Sequence, residues 1–201
     1  MTLYDLKPKF QALLRPLVGV LAGLGVTANQ VTLAALAGSI LAGLLLSHFA
    51  AATAIFLLLP VWLFLRMALN AIDGMLAREF NQKSKLGAYL NELSDVVSDA
   101  ALYAPFALVA PFSAGWVMLM VGLSGLSEFA GALGPMAGAS RRYDGPLGKS
   151  DRALVFGALG LWIGIGGAMP GWLAWLMPVM ALLLAVTIVN RVRRGVAEVK
   201  A

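Results

Sequence analysis

The chain has 201 residues, 60% of them hydrophobic, and a mean hydropathy of +0.85, which is too apolar for a soluble protein of this size. We therefore expect one membrane-embedded domain over residues 1–201. The absence of cysteine excludes disulfides and thiolate metal sites. The net charge of +5 comes from basic residues that flank apolar segments, so membrane lipids and phosphorylated substrates are the expected partners, and nucleic acid is not.

The first 25 residues are predicted to form an amphipathic helix that lies in the membrane interface. Phe10, Leu14 and Leu21 belong to an apolar series at helical spacing, and Arg15 lies off that face. A frayed, solvated terminus is the alternative.

Apolar segments in the rest of the chain predict an all-α bundle of six transmembrane helices. Thr27 or Asn29 can cap the first of them. The turns near residues 50, 112 and 169 contain no charged side chain, whereas lysine and arginine collect at the opposite ends. By the positive-inside rule, both termini face the cytoplasm. The predicted spans are 31–49, 52–79, 86–111, 113–138, 151–168 and 171–192.

Polar residues at helical spacing interrupt this apolar pattern at the junction of the second and third spans. Asn70 and Asp73 lie three residues apart on one predicted helix, and Asn91, Asp95 and Asp99 lie four apart on the next. A short turn would bring the two faces together. Such a cluster of oxygen ligands suits Mg²⁺ or Mn²⁺ and, through the metal, phosphate. Because acidic groups at membrane depth are costly, we expect a functional site on the cytoplasmic side.

Two further charged residues are predicted at a depth similar to that of the aspartates. Arg66 lies within the second span and Glu128 within the fourth, both close to the level of Asp95 and Asp99 at 1.5 Å rise per residue. Two roles stay open for Arg66 and Glu128, a functional one and a structural ion pair with each other or with Asp99.

The segment from Asn70 to Asp95 resembles the signature of the CDP-alcohol phosphotransferases, D-x2-D-G-x2-A-R-x8-G-x3-D-x3-D, over 26 positions. It is especially similar to a small bacterial branch that has asparagine at the first and third acidic positions. These are integral membrane enzymes of phospholipid synthesis. The resemblance implies a homodimer. We expect a location in the bacterial inner membrane, with the active site on the cytoplasmic side that the positive-inside rule indicates.

The resemblance also implies a reaction, in which a phosphatidyl group moves from CDP-diacylglycerol or a similar CDP-lipid to an alcohol such as glycerol 3-phosphate, with release of CMP. A bound Mg²⁺ or Mn²⁺ would neutralise the diphosphate. Asp95 matches the catalytic base of the family. The expected metal ligands are Asn70, Asp73, Asn91, Asp95 and Asp99. The expected nucleotide and diphosphate contacts are Asn29, Thr32, Gly74, Ala77, Arg78 and Gly87.

The two asparagines depart from the family pattern and remove two negative charges from the metal site. Three consequences stay open. The site holds one metal instead of two, Asp99 or Glu92 supplies the missing charge, or metal binding and catalysis have been lost.

A basic loop before the fifth span is the expected acceptor site. It concentrates cations at the cytoplasmic face, where they would hold an anionic acceptor. An ordinary positive-inside anchor explains the same residues equally well. The residues assigned to acceptor binding are Arg141, Arg142, Lys149, Arg152 and Glu128.

Two other functions compete with the transferase. A small transporter or channel would use the intramembrane charges as an ion pathway, although no polar residue continues that path to the uncharged side. A catalytically silent relative would bind a CDP-lipid without turnover.

Overall fold

The computed structural model describes residues 3–199, with side chains from residue 8 onward, so the outermost two residues at each end of the predicted domain lie outside the described part. Over residues 3–199 the fold is all-helical, as predicted. Short 3₁₀ turns precede α3 and α7 and follow α4 and α5. The helices are α1 (Leu3–Gly23), α2 (Ala28–His48), α3 (Leu58–Glu79), α4 (Lys85–Tyr103), α5 (Ala114–Ala132), α6 (Lys149–Gly164) and α7 (Leu176–Val199).

Four helical segments of the described chain are long and apolar enough to cross a membrane, namely Ala28–His48, Thr53–Glu79, Ala114–Ala137 and Gly171–Val199. They correspond to the first, second, fourth and sixth predicted spans. α4 is not among them because it carries several carboxylates, and α6 has only 16 residues. The membrane character of the chain therefore rests on these four helices, and the full set of six spans stays a prediction.

We call the region where the polar residues of α3 and α4, from Asn70 to Asp99, meet α2 the polar junction. Side-chain caps set where α2 and α4 begin at this junction. Thr27 Oγ1 accepts a hydrogen bond from the Gln30 backbone, and Gln30 Oε1 accepts one from the Thr27 backbone, which completes a capping box for α2. Ser84 caps α4 by accepting from the Gly87 backbone at 2.9 Å. Of the two predicted caps for α2, Thr27 has this role, and Asn29 lies in the first helical turn.

Small residues allow α2 to lie close to α3 and α4. A Cβ atom at Gly43 would overlap the carbonyl oxygen of Ala101 in α4, and one at Gly38 would overlap the indole of Trp62 in α3. The Trp62 indole also donates to Ser39 Oγ at 3.0 Å. Helices in lipid associate through such close packing and interhelical hydrogen bonds rather than through hydrophobic burial. The small residues of α2 therefore place the helices that carry the polar junction.

An aromatic cluster joins α4 and α6 to the 3₁₀ turns before α3 and after α4, toward the end of the bundle that lacks charges. The rings of Tyr103 and Phe156 stack with their centroids 4.0 Å apart, and Phe106 meets Phe56 and Phe156 edge to face. All four side chains are fully buried. Because Tyr103 is one helical turn beyond Asp99, this apolar core borders the polar cluster directly.

α1 packs along the C-terminal half of α3. Val18 is buried against Ile72, Met75 and Leu76, and Arg15 forms an exposed ion pair with Glu79 at 3.0 Å. Leu13, Leu17 and Val20 on the opposite side of the helix remain exposed, as does Leu24 directly after it. The helix thus has one apolar face against the bundle and another that faces outward.

Alanine substitutions at a packed glycine and at an open glycine are predicted to change the stability in opposite directions. Gly43→Ala inserts a methyl group into the Ala101 backbone and is expected to cost about 1–3 kcal/mol. Gly19→Ala, in an open stretch of α1, adds the same methyl group without a contact and gains up to about 1 kcal/mol of helix propensity. Thermal unfolding of both variants in detergent checks this, and an unchanged midpoint for Gly43→Ala would contradict the packing.

Candidate active site

Asp73 is a buried carboxylate that α2 holds in place. Thr32 Oγ1, one turn into α2, donates to Asp73 Oδ2 at 2.7 Å. Asp73 is only 5% exposed and Thr32 6%. A hydrogen bond to a charged buried group is among the stronger ones, so it fixes the rotamer of Asp73 and the register of α2 against α3.

Two glycines of the signature are positions of close approach. A Cβ atom at Gly87 would lie 2.8 Å from Asn29 Oδ1, and one at Gly74 would lie 3.0 Å from a guanidinium nitrogen of Arg78. Side chains at these positions would displace Asn29 and Arg78 from where they lie. Ala77, the remaining small residue of the set, packs half-buried against the α1 contact.

The turn between α3 and α4 is bound to the start of α2. Gln82 Oε1 accepts from the Ala28 backbone at 2.7 Å, and Gln82 Nε2 donates to the Val26 carbonyl at 3.4 Å. Asn81 in the same turn adopts a left-handed conformation with φ of +55°, which asparagine tolerates well. The starts of α2 and α4 and the end of α3 therefore meet at one place.

Asp95 is the centre of the polar junction. Its Oδ1 accepts from Lys149 Nζ at 2.5 Å, from Arg66 Nη2 at 3.1 Å and from Asn70 Nδ2 at 3.4 Å. Asn91 lies exposed one turn earlier on α4. The Asn70 contact joins Asp95 to the helix face of Asp73, and Lys149 brings in the start of α6.

Asp99 lies between two buried arginines. Arg66 Nη1 donates to Asp99 Oδ1 at 2.6 Å, and Arg152 Nη2 donates to Asp99 Oδ2 at 3.0 Å. Both oxygens are therefore engaged, and all three side chains are at most 4% exposed. The structural ion pair between Arg66 and Asp99, which was left open from the sequence, is present in this form. Asp99 acts as a counter-ion that joins α3, α4 and α6.

Glu128 of α5 extends this network to three further guanidinium contacts. Arg152 lies 3.0 Å from Glu128 Oε1, while Arg191 and Arg141 lie 3.4 and 3.5 Å from Oε2. The sequence did not predict a role for Arg191 at the site, because Arg191 is the first residue of a basic run that indicates membrane topology. The spacing could have indicated that Arg191 is buried, since it follows Thr187 by four residues on the buried face of α7.

The loop between α5 and α6 is secured by ion pairs of its own. Arg141 contacts Glu92, and Arg142 contacts Asp144 and Glu198. Partial burial works against ionisation of Asp144, but hydrogen bonds from Arg142 and Arg194 outweigh it and hold the pKa of Asp144 below its usual range.

The residues assigned to a metal form a small oxygen-rich set. Among residues 8–199 no three acidic or histidine side chains gather as a metal-binding group. Asp73 and Asp95 remain, with the amides of Asn70 and Asn91 nearby. Mg²⁺ is commonly bound through one or two carboxylates while water and substrate phosphates complete its shell, so this donor set fits one ion. The side-chain contacts of Asp95 with Lys149, Arg66 and Asn70 all fall on Oδ1, whereas both oxygens of Asp99 are engaged by arginines.

Comparisons with known proteins agree with the signature. A family model described as CDP-alcohol phosphatidyltransferase matches residues 25–189. The inner membrane protein YnbA of Escherichia coli (strain K12) is 53% identical over 196 residues, which cover 96% of both chains.

Solved structures with the same fold include the phosphatidylinositol phosphate synthase PgsA1 of Mycobacterium tuberculosis. Its structure with CDP-DAG bound has a TM-score of 0.74 at 20% identity over 90% of this chain and 92% of that one. Its complex with manganese and citrate gives the same score and identity over 90% and 87% of the two chains. Since the family model spans most of the chain and the relative is 53% identical over nearly all of it, this protein belongs to the CDP-alcohol phosphatidyltransferase family and is a transferase enzyme, as the resemblance predicted.

Proposed function

We propose that this enzyme transfers a phosphatidyl group from CDP-diacylglycerol, or a similar CDP-lipid, to the hydroxyl of a small alcohol and releases CMP. The observation that carries the proposal is the junction of α2, α3 and α4, where Asp73, Asp95 and the close-approach glycines of the signature meet. The solved relative PgsA1, which shares the fold, has been obtained with CDP-DAG bound.

The donor nucleotide and diphosphate would bind at this junction. Arg78 is exposed beside Gly74 and offers a guanidinium to the diphosphate. The family resemblance assigns nucleotide or diphosphate binding to the other residues at this junction as well, namely Asn29, Thr32, Ala77 and Gly87.

One Mg²⁺ or Mn²⁺ ion would be held by Asp73 and Asp95, with Asn70 and Asn91 as neutral oxygen donors. When bound, such an ion neutralises the diphosphate and makes CMP a better leaving group. Asp99 was also expected as a ligand, but both of its oxygens are engaged by arginines, so we assign it the role of counter-ion. Glu92 contacts Arg141, so we do not assign it as the source of the missing charge.

Asp95 is the proposed base that removes the proton from the acceptor hydroxyl. Its carboxylate lies where α3, α4 and the start of α6 meet, next to the loop that was assigned to the acceptor. Lys149 is then positioned to bind an acceptor oxygen beside that base. The sequence suggested glycerol 3-phosphate as acceptor; its phosphate would compete with carboxylates that already pair with Arg141, Lys149 and Arg152.

In the membrane, α4 and α6 with their flanking turns would complete six spans, and both termini and the site would face the cytoplasm of a bacterial inner membrane. The exposed leucines of α1 support a position of that helix in the interface. A homodimer is expected from the family resemblance.

A transporter or channel is the rival function, since the bundle buries many charges. The ion-paired residues from Asp95 to Arg191 lie toward the end that carries the basic residues, and the aromatic cluster of Tyr103 and Phe156 blocks the way beyond them. This distribution favours the transferase.

Removal of either proposed metal carboxylate is predicted to abolish turnover. Asp73→Asn and Asp95→Asn each take one charge from the donor set, and Asp95→Asn also removes the base, so CMP release should fall by at least about 100-fold. The assay uses purified protein in detergent with CDP-diacylglycerol, Mn²⁺ or Mg²⁺, and a panel of alcohol acceptors.

The matched control is Glu79→Gln, which removes a carboxylate from an exposed ion pair at the end of α3. Because such pairs contribute little, its activity should stay within about twofold of the wild type. CMP release that persists in a folded Asp95→Asn variant would contradict the proposed base. CDP-lipid binding without any release in the wild type would instead indicate a silent relative.

The orientation can be tested on single cysteines, since the chain has none of its own. We predict that Ser113→Cys, in an uncharged turn, reacts with a membrane-impermeant maleimide in intact bacterial cells. Lys83→Cys, in the turn between α3 and α4, should react only after the membrane is opened. The reverse pattern would contradict a cytoplasmic active site.

A further inference from the structure

Three arginines from separate parts of the chain converge on one carboxylate. Arg141 comes from the loop before α6, Arg152 from α6 and Arg191 from α7, and all three lie within 3.5 Å of the Glu128 oxygens. Glu128 is 6% exposed, and Arg152 and Arg191 are at most 2% exposed. Converging guanidinium groups of this kind are what proteins build to bind a phosphate. Here the chain's own carboxylate occupies that position.

The other cations near the proposed acceptor position are paired as well. Lys149 contacts Asp95, Arg141 also contacts Glu92, and Arg152 also contacts Asp99. A doubly charged phosphate would have to displace one of these carboxylates from its arginine. The displaced carboxylate would then be a buried, unpaired charge, which is strongly unfavourable.

Hydrogen-bond donors suited to a neutral group remain. Among the described residues, the Nε atoms of Arg141 and Arg152 are buried and have no hydrogen-bond partner, although their other nitrogens are ion-paired. Each therefore keeps one hydrogen-bond donor that no ion pair uses. A buried donor without a partner is costly, so a ligand that satisfies it gains affinity.

We propose that Glu128 is a specificity-determining residue that fills the anion site of this enzyme from within, so that the acceptor is an uncharged polyol rather than its phosphate ester. This inference rests on the proposed transferase function. The Glu128 carboxylate takes the place that an acceptor phosphate would occupy between Arg141, Arg152 and Arg191, and the acceptor binds through its hydroxyl groups.

The first test compares matched acceptors on the wild-type enzyme, with CMP release as the readout. Glycerol is paired with glycerol 3-phosphate, and inositol with inositol phosphate. We expect kcat/KM for the better uncharged acceptor to exceed that for its phosphate ester by about tenfold or more. A wild type that prefers a phosphorylated acceptor overturns the inference and leaves the transferase function intact.

The second test removes the Glu128 carboxylate and measures acceptor preference. Glu128→Ala removes both the charge and the volume of the carboxylate, and Glu128→Gln removes the charge alone. The ratio of phosphorylated to unphosphorylated acceptor use should rise by about tenfold or more in either variant that folds. Glu79→Gln is the matched control, because it also removes a carboxylate from an arginine, Arg15, but in an exposed pair at the end of α3.

A binding readout separates this inference from turnover. Inorganic phosphate should raise the unfolding midpoint of Glu128→Ala above the general salt effect seen with Glu79→Gln, and it should leave the wild type at that control level. If no acceptor yields CMP, the proposed function fails while the phosphate response still decides about Glu128. If neither Glu128 variant folds, the wild-type acceptor ratio and its phosphate response decide. A wild type stabilised specifically by phosphate would overturn the inference.

Discussion

The position of Asp99 between Arg66 and Arg152 is the interaction on which the rest of the structure depends. This buried carboxylate joins α3, α4 and α6, and Glu128 continues the network through Arg152 to α5 and α7. Buried charges of this kind are stable only as a complete set, because removal of one partner leaves another buried and unpaired. The network therefore fixes the relative rotation of the helices that carry the signature residues.

This arrangement divides the acidic residues of the bundle by role. Asp99 and Glu128 form ion pairs with arginines, whereas Asp73 accepts a hydrogen bond from a threonine and Asp95 borders the junction with α2. In the proposed site, with asparagine at two signature positions, those last two carboxylates hold the metal, in line with the common coordination of a single Mg²⁺ by protein and phosphate. The chain thus places its structural negative charge below the site and its proposed catalytic negative charge within it.

Much of this could be predicted from the sequence, because helical spacing alone places Asn70 with Asp73 and Asn91 with Asp95. The sequence also placed the end of α3 and the start of α4 to within one residue, but 3₁₀ turns at Thr53–Leu57, Ala104–Leu108 and Gly171–Trp175 lie inside predicted spans. The choice of Thr27 over Asn29 as the cap of α2 required the hydrogen bonds themselves. The ion-pair partners within the buried network could not be predicted from the sequence. Which arginine meets Asp99 depends on the rotation and crossing of three helices, which are set by tertiary contacts such as that at Gly43.

The most direct measurement is a crystal structure of the enzyme with Mn²⁺ and CDP-diacylglycerol, in which the metal is located by its anomalous signal. The account predicts one Mn²⁺ ion in coordination contact with Asp73, Asp95 and the diphosphate, while Asp99 and Glu128 stay bound to their arginines. A metal ion coordinated by Asp99 or Glu128, or a second ion at the asparagines, would contradict the division of roles between the carboxylates.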